Sequence, residues 1–251
     1  MSLVLITGAS SGVGEAAARA FAKTGATVIL VARNSEKLHL IAKGIGENAI
    51  PAPCDAADPD AVAKMAVVVL KTHGSPDVII NSAGAGLWKT LQDTTPQDAI
   101  AMMNAPYFAA FFTTHAFLPT MLERKSGVIL HVNSPACITP WPSSVGYAAS
   151  RAALRGLHDA LSQDLVRTGV DSCNVIFGKV ASPYFDNNPG TADKLPALDK
   201  VLPVLSVEDC ADILLKLSRR PRHTAIYPMT LRALVGLGQY APALTRWLAR
   251  Q

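Results

Sequence analysis

Close to its start the chain carries Thr7-Gly8-Ala9-Ser10-Ser11-Gly12-Val13-Gly14, a GxxxGxG spacing between an apolar run and a stretch of helical character. Glycines at such a turn permit close backbone approach, and the free N–H groups of a helix N-terminus suit a pyrophosphate. A glycine-rich turn alone is a weak signal, but between a first strand and a helix it points to a dinucleotide site. The same residues also satisfy GxSxG, the turn that presents a serine nucleophile in hydrolases. That reading ranks far behind. Such a serine normally follows several strands that supply an oxyanion loop, whereas here the motif begins at Gly8. No acid and histidine follow in the order those enzymes use. Further on, the second apolar run ends Val31-Ala32-Arg33-Asn34. An acidic residue there would bind the 2′-hydroxyl of NAD's adenosine ribose. With no carboxylate to repel a phosphate and Arg33 able to pair with one, NADP(H) is favoured, with NAD(H) the second candidate. An ordinary surface arginine is the alternative. Asp55, after the third run, suits either the adenine amino group or a helix cap.

These groups need a scaffold, and the hydrophobic pattern supplies one. Leu3–Ile6, Thr27–Val31, Asp77–Ile80, Gly127–Val132 and Ser172–Phe177 are short apolar runs of the kind buried on both faces of a parallel sheet. Ala49–Pro53 is a weaker candidate and Thr224–Tyr227 a late one. Helical stretches fall at roughly 15–24, 35–44, 59–73, 96–123, 147–168 and 207–219. Thr95-Pro96 reads as a helix start, threonine capping and proline in the first turn. Alternating strands and helices predict an α/β fold, a parallel sheet with helices on both faces. No internal repeat or linker interrupts the chain, so 1–251 reads as one domain. Residues 178–205, with Pro183, Pro189, Gly190, Pro196 and Pro203, form a long irregular insertion of the kind that serves as a lid or stays disordered. Residues about 230–250 read as a C-terminal helix with Arg232, Arg246, Trp247 and Arg250. Packing on the core is the first reading of that helix, and an anionic membrane surface the second.

Composition narrows the function classes. Of 251 residues, 49% are hydrophobic and 17% charged, which excludes a disordered chain. Net charge is only +4 and no basic run stands out, so no nucleic-acid partner is implied. Cys54, Cys137, Cys173 and Cys210 lie far apart without a CxxC pair, which argues against a zinc site and against a disulfide scaffold, and no metal site is expected. Lacking a secretory pattern or an apolar run of about 18 residues, the chain is expected to be cytoplasmic.

Further motifs carry a resemblance. Asn81-Ser82-Ala83-Gly84 is similar to an NNAG motif with serine at its second position. Ser134 follows a strand, and Tyr147 lies 147 − 134 = 13 residues later. Gly178-Lys179-Val180-Ala181-Ser182 is similar to a nicotinamide-holding stretch, with Phe177 where proline is usual. Together with the glycine turn, over roughly 2–185, the chain resembles the short-chain dehydrogenase/reductase family. The resemblance implies a Rossmann-type doubly wound parallel sheet of about seven strands. It implies an NADP(H)-dependent oxidoreductase interconverting a carbonyl and a secondary alcohol, assembled as a homodimer or homotetramer. Gly8, Ser10, Ser11, Gly12, Val13 and Gly14 would cradle phosphate. Arg33 and Asn34 would meet the 2′-phosphate side, while Asp55, Asn81, Ala83 and Gly84 would position the adenosine half. Gly178, Val180 and Ser182 would hold the nicotinamide. Ser134 would polarise the substrate oxygen, Tyr147 would act as general acid/base, and Asn104 would position a water. Hydride chemistry belongs to the cofactor. A free phenol, with a pKa of about 10, needs a nearby cation to serve as acid–base at neutral pH.

The catalytic signature also departs from the family pattern. The signature YxxxK here is Tyr147-Ala148-Ala149-Ser150-Arg151. Arg151 is one helical turn from Tyr147, keeps the charge and can bond the ribose hydroxyls, but differs from lysine in size, fork and proton affinity. Three readings follow: Arg151 substitutes adequately, Lys179 supplies an ammonium instead, or the protein is a catalytically impaired NADP(H)-binding sensor or partner subunit. The first leads because Ser134, Tyr147 and Asn104 are intact. Pro106, two residues past Asn104, predicts a kink that either exposes the Asn104 carbonyl to water or has no role. Pro135, Ala136, Trp141, Tyr184 and Phe185 would line an apolar pocket suited to a hydrophobic substrate. His131 reads as a packed strand histidine, and Met102, Met103, Phe108, Phe111 and Phe112 as core or subunit interface.

Overall fold

The computed structural model describes residues 2–84, 86–184 and 202–240, together with Asp186, Asn188, Thr191 and 194–196. Phe185, Pro189, Gly190, Arg246, Trp247 and Arg250 lie outside the described residues. Strands β1 (Leu3–Thr7), β2 (Thr27–Ala32), β3 (Ala49–Pro53), β4 (Val78–Asn81), β5 (Gly127–Asn133), β6 (Val170–Phe177) and β9 (Thr224–Tyr227) form one seven-stranded sheet. Their order is β3-β2-β1-β4-β5-β6-β9, and every adjacent pair is parallel. The order reverses between β1 and β4. In doubly wound sheets, ligands bind outside the carboxyl ends of the strands at such a point.

The apolar runs are continuous because both faces are covered. Along β1, Val4 and Ile6 join one core cluster while Leu3 and Leu5 join the other, the alternation a strand imposes. The first cluster packs under α1 (Gly12–Lys23), α2 (Ser35–Ile45) and α7 (Val207–Arg219), through Phe21, Leu38 and Leu214. The second packs under α3 (Pro59–Thr72), α5 (Ala109–Arg124) and α6 (Val145–Asp164), through Val62, Phe117 and Leu161. Phe117 is fully buried there. Phe117→Ala should therefore cost about 3–5 kcal/mol of stability, read as a lower urea midpoint at unchanged slope.

The helix expected over 96–123 is broken. α4 (Pro96–Met103) ends at a π-helical turn over Asn104–Phe108, after which α5 begins. Pro106 has no N–H to donate and forces its predecessor out of helical space; Ala105 sits at φ −137°, ψ 118°. The start of α4 is as expected. Thr95 accepts from the Asp98 N–H and Asp98 accepts from the Thr95 N–H, both at 3.1 Å. The 178–205 insertion is more ordered at its base than expected. β7 (Val180–Ala181) pairs in parallel with β8 (Leu205–Ser206), closing the segment where it leaves the sheet. The C-terminal helix α8 is described over Met229–Tyr240. Its Leu231 is buried, and Leu231, Leu234 and Val235 face the central cavity. The rest of the tail, 241–250, lies outside the described residues. Among the described residues no helix is long and apolar enough to cross a membrane.

Candidate active site

A cavity of about 970 Å³ opens at the carboxyl ends of the strands, spanning the point where the order reverses. Its wall contains Gly8, Ser10, Ser11, Gly12 and Val13 from the first turn, Arg33 and Asn34 from the end of β2, and Asp55 after β3. Ala83, Gly84, Asn104, Ser134, Tyr147, Arg151, Gly178, Val180 and Ser182 complete the set of predicted residues that line it.

Two predicted residues lie elsewhere, and each has a physical reason. Asn81 is buried and turns its side chain into the sheet, where Nδ2 donates to Thr114 Oγ1 at 3.1 Å and approaches His131 Nδ1 at 3.2 Å. It braces β4 against α5 and β5 rather than lining the cavity. Gly14 does not line the cavity either; a Cβ there would collide with the Gly8 carbonyl, so its hydrogen lets α1 press against the turn. Gly8 itself is held at φ +69°, and a Cβ on it would come within 2.8 Å of the Ser82 carbonyl. The turn and the β4 loop are joined by Thr7, whose Oγ1 accepts from the N–H groups of Ser82 and Ala83, both at 3.1 Å. Ser11 stands at the N-cap of α1 with no side-chain capping bond. The helix N-terminus therefore opens on the cavity with its hydroxyl uncommitted, which fits a pyrophosphate.

At the edge of this half, Arg33 is exposed on the cavity wall. Asn34 caps α2, accepting from the Lys37 N–H at 2.9 Å. Asp55 is not a helix cap. It accepts from the Ala57 N–H at 3.0 Å, while Asp58 caps α3. The chain leaving β2, Arg33-Asn34, itself carries no carboxylate to oppose a phosphate.

The other half is aromatic. Tyr147 is buried on α6, its ring 5.5 Å from Trp88, 6.0 Å from Trp141 and 6.4 Å from Tyr184 between centroids. The Arg151 guanidinium lies 5.0 Å from the same ring. Its Nη1 donates to the Val132 carbonyl at 3.1 Å, and its Nε is buried without a partner. Gly84 makes room for it, since a Cβ at Gly84 would come within 2.8 Å of Nη2. A charged group with a donor still unpaired is suited to the hydroxyls of a ribose. Ser134 Oγ accepts from the Ala136 N–H at 3.3 Å, which leaves its own hydrogen for a substrate oxygen. Burial, reinforced by the neighbouring Tyr147 phenol, pushes the Tyr184 phenol far above its ordinary range. Lys179 also lines the cavity, and so does Trp141. Ala136 packs behind the wall with Trp88 and Tyr147.

Sequence reasoning missed the residue that ties these parts together. Asn133 Oδ1 accepts from the Ser134 N–H at 2.8 Å. Its Nδ2 donates to the Arg151 carbonyl at 3.2 Å and to Asn174 Oδ1 at 3.0 Å. One buried amide thus fixes Ser134, α6 and β6 together. An asparagine ending an apolar strand is its only trace in the sequence. Trp88 was also unassigned; its carbonyl accepts from Lys194 Nζ at 2.5 Å, linking the β4 loop to the insertion.

All four cysteines are buried and free. Burial pushes the thiols of Cys54, Cys137 and Cys173 up to about 11 and that of Cys210 to about 12, so none is a nucleophile at neutral pH.

A family model described as short chain dehydrogenase matches residues 2–191. An uncharacterized oxidoreductase of Mycobacterium tuberculosis is 39% identical over 205 residues, covering 78% of this chain and 60% of that protein. The chain thus spans about three fifths of the length of its mycobacterial relatives. An uncharacterized oxidoreductase of Staphylococcus aureus is 30% identical over 231 residues, 92% of this chain and 96% of that one. Among solved structures, the closed form of a serine dehydrogenase complexed with NADP+ superposes with a TM-score of 0.82 at 27% identity, covering 91% of this chain and 95% of that one.

Proposed function

The chain belongs to the short-chain dehydrogenase family, and from that premise we propose that it is an NADP(H)-dependent oxidoreductase interconverting a hydrophobic carbonyl compound and its secondary alcohol. One observation carries the reading: Arg33, the glycine turn, Ser134, Tyr147 and Arg151 share the wall of one cavity. The cradle fits the dinucleotide, because the turn is free of Cβ atoms where backbone must approach and Arg151 keeps an unpaired donor. When bound, the nicotinamide supplies or accepts the hydride.

The protein's own part is proton transfer and charge. In the reducing direction the Ser134 hydroxyl donates to the carbonyl oxygen and fixes its position. Tyr147 gives that oxygen its proton, and the negative charge left on the phenol is stabilised by the guanidinium of Arg151. Asn104, exposed at the broken helix, positions a water that returns the proton. Its carbonyl accepts from the Ala109 N–H across the π-helical turn. Trp88, Trp141 and Tyr184 surround the reacting end, and Leu195, Leu202, Leu231, Leu234 and Val235 line the same cavity. Such a wall selects an apolar substrate. The 178–205 segment, pinned at β7 and β8, is the lid of this reading.

Fluorescence titration with NADPH and NADH, followed by a carbonyl panel read as loss of NADPH absorbance, tests it. NADPH should bind more tightly. Arg33→Ala should weaken NADPH by about 10–100-fold, the worth of a charge-assisted phosphate contact of roughly 1.5–3 kcal/mol, and leave NADH nearly unchanged. Tighter NADH binding by the wild type would sink the assignment of Arg33. Binding with no oxidation against any carbonyl would favour the sensor over the enzyme.

A further inference from the structure

His158 stands 158 − 151 = 7 residues beyond Arg151, two turns along the buried stripe of α6. Its side chain is fully buried. Nδ1 lies 2.8 Å from Ser172 Oγ on β6, while Nε2 has no hydrogen-bond partner. A buried ring nitrogen left without a partner is costly and calls for a reason. Around it are two other metal-ligating groups. Asp159 Oδ1 is 3.9 Å from Nε2, and the His223 ring is 4.5 Å away between centroids. One ligand atom from each of the three lies within 4.8 Å of the others.

We propose that His158, Asp159 and His223 form a binding site for one transition-metal dication of the zinc type, completed by water. Two imidazoles and a carboxylate are a common zinc donor set that leaves a fourth position open. A tetrahedral ion with bonds of about 2.1 Å holds its ligands about 3.4 Å apart. His158 is fixed by its packing, so Asp159 and His223, both reached by solvent, close the remaining distance. A small cleft of about 250 Å³ beside them, lined by Ser162, Asp171, Ser172 and His223 and also by the cationic Arg167 and Arg222, gives access.

The outer contacts have the form that metal sites need. A ligating histidine usually keeps its second nitrogen on an oxygen partner, which sets the tautomer. His158 has Ser172 in that role. His223 has Ser162 Oγ 3.1 Å from Nε2 and Thr224 Oγ1 3.2 Å from Nδ1, and retains one of them when the other nitrogen binds. Asp159 Oδ2 is 3.4 Å from Arg155 Nε, which leaves Oδ1 toward the site. Arg155 opposes a cation here and the Asp159 carboxylate offsets it. None of the three residues lines the central cavity. A bound ion would instead clip the helix that carries Tyr147 and Arg151 to the chain entering β9.

The full chain without an affinity tag, stripped with chelator and titrated with zinc chloride by calorimetry, tests the site. One equivalent should bind, and the melting temperature should rise with zinc concentration. His223→Ala and Asp159→Asn alter partly exposed positions that leave the core intact. Each should weaken zinc at least tenfold, because even outer-shell partners are worth 10–100-fold. Cobalt substitution should give visible d–d bands that disappear in His223→Ala. His115→Ala, an exposed histidine of α5, should bind as the wild type does. Failure to bind an equivalent at 100 micromolar zinc, or either ligand variant binding like the wild type, overturns the site.

Discussion

Tyr147→Phe is expected to lower kcat/KM for carbonyl reduction by about 10²–10⁴-fold, the usual worth of a positioned general acid, while leaving NADPH binding intact. The substitution removes one oxygen and nothing else. The ring keeps its place against Trp88, Trp141 and the Arg151 guanidinium, so neither the cavity wall nor α6 needs to move. No second acid is ready to replace the lost proton donor. Tyr184 is the nearest phenol, 6.4 Å away between ring centroids, but burial holds its proton far too tightly at neutral pH. Single-turnover loss of NADPH absorbance separates the chemical step from binding, which fluorescence titration measures independently. A variant retaining more than about a tenth of wild-type turnover would contradict the 10²–10⁴ scale of general acid catalysis and remove Tyr147 from that role.

Much of the scaffold behind this prediction is legible in the sequence for a simple reason. A parallel sheet covered on both faces demands apolar runs, and β1, β2 and β4 are unbroken ones, whereas the edge strand β3 is only half-buried and reads more weakly. Helix starts are legible where a cap is spelled out, as at Thr95-Pro96. Pro106 advertises a kink, but not that the chain would pass through a π-helical turn and put Asn104 on the cavity wall. β7 and β8, two residues each, are too short to carry any periodicity. Residues chosen by motif mostly share the cavity because a motif encodes a turn, and the turn sets direction. Asn81 escapes that logic. It is the last residue of β4, and which way it points depends on Thr114 and His131, partners 33 and 50 residues away. Asn133 was invisible for the same reason: its value lies in bonds to Ser134, Arg151 and Asn174 that exist only once β5, α6 and β6 are assembled.

Arg151→Met should cost about 10²-fold in kcat/KM, and Arg151→Lys should stay within about tenfold of the wild type, if charge is what position 151 contributes. Arg151 and Tyr147 are both more than nine-tenths buried, so their interaction is little screened. The guanidinium lies 5.0 Å from the ring centroid; at an effective dielectric of about 20, a full charge at a separation of that order is worth about 3 kcal/mol to the phenolate left by proton transfer, which is roughly 10²-fold in rate. Methionine fills similar space without the charge. Lysine keeps the charge but cannot reproduce the fork, which spans the Val132 carbonyl on one side and Gly84 on the other. Gly84→Ala probes that fork directly. Its Cβ would press on Arg151 Nη2, so the substitution should impair the wild type more than it impairs Arg151→Lys, a coupling that a double-mutant cycle reads. Arg151→Met with wild-type turnover would show that the cation is not used. A gain of 10²-fold or more in Arg151→Lys, beside a nearly inactive wild type, would identify the arginine as the lesion of a binding protein; because both side chains carry the same charge, such a gain would come from the fork geometry and proton affinity of the guanidinium.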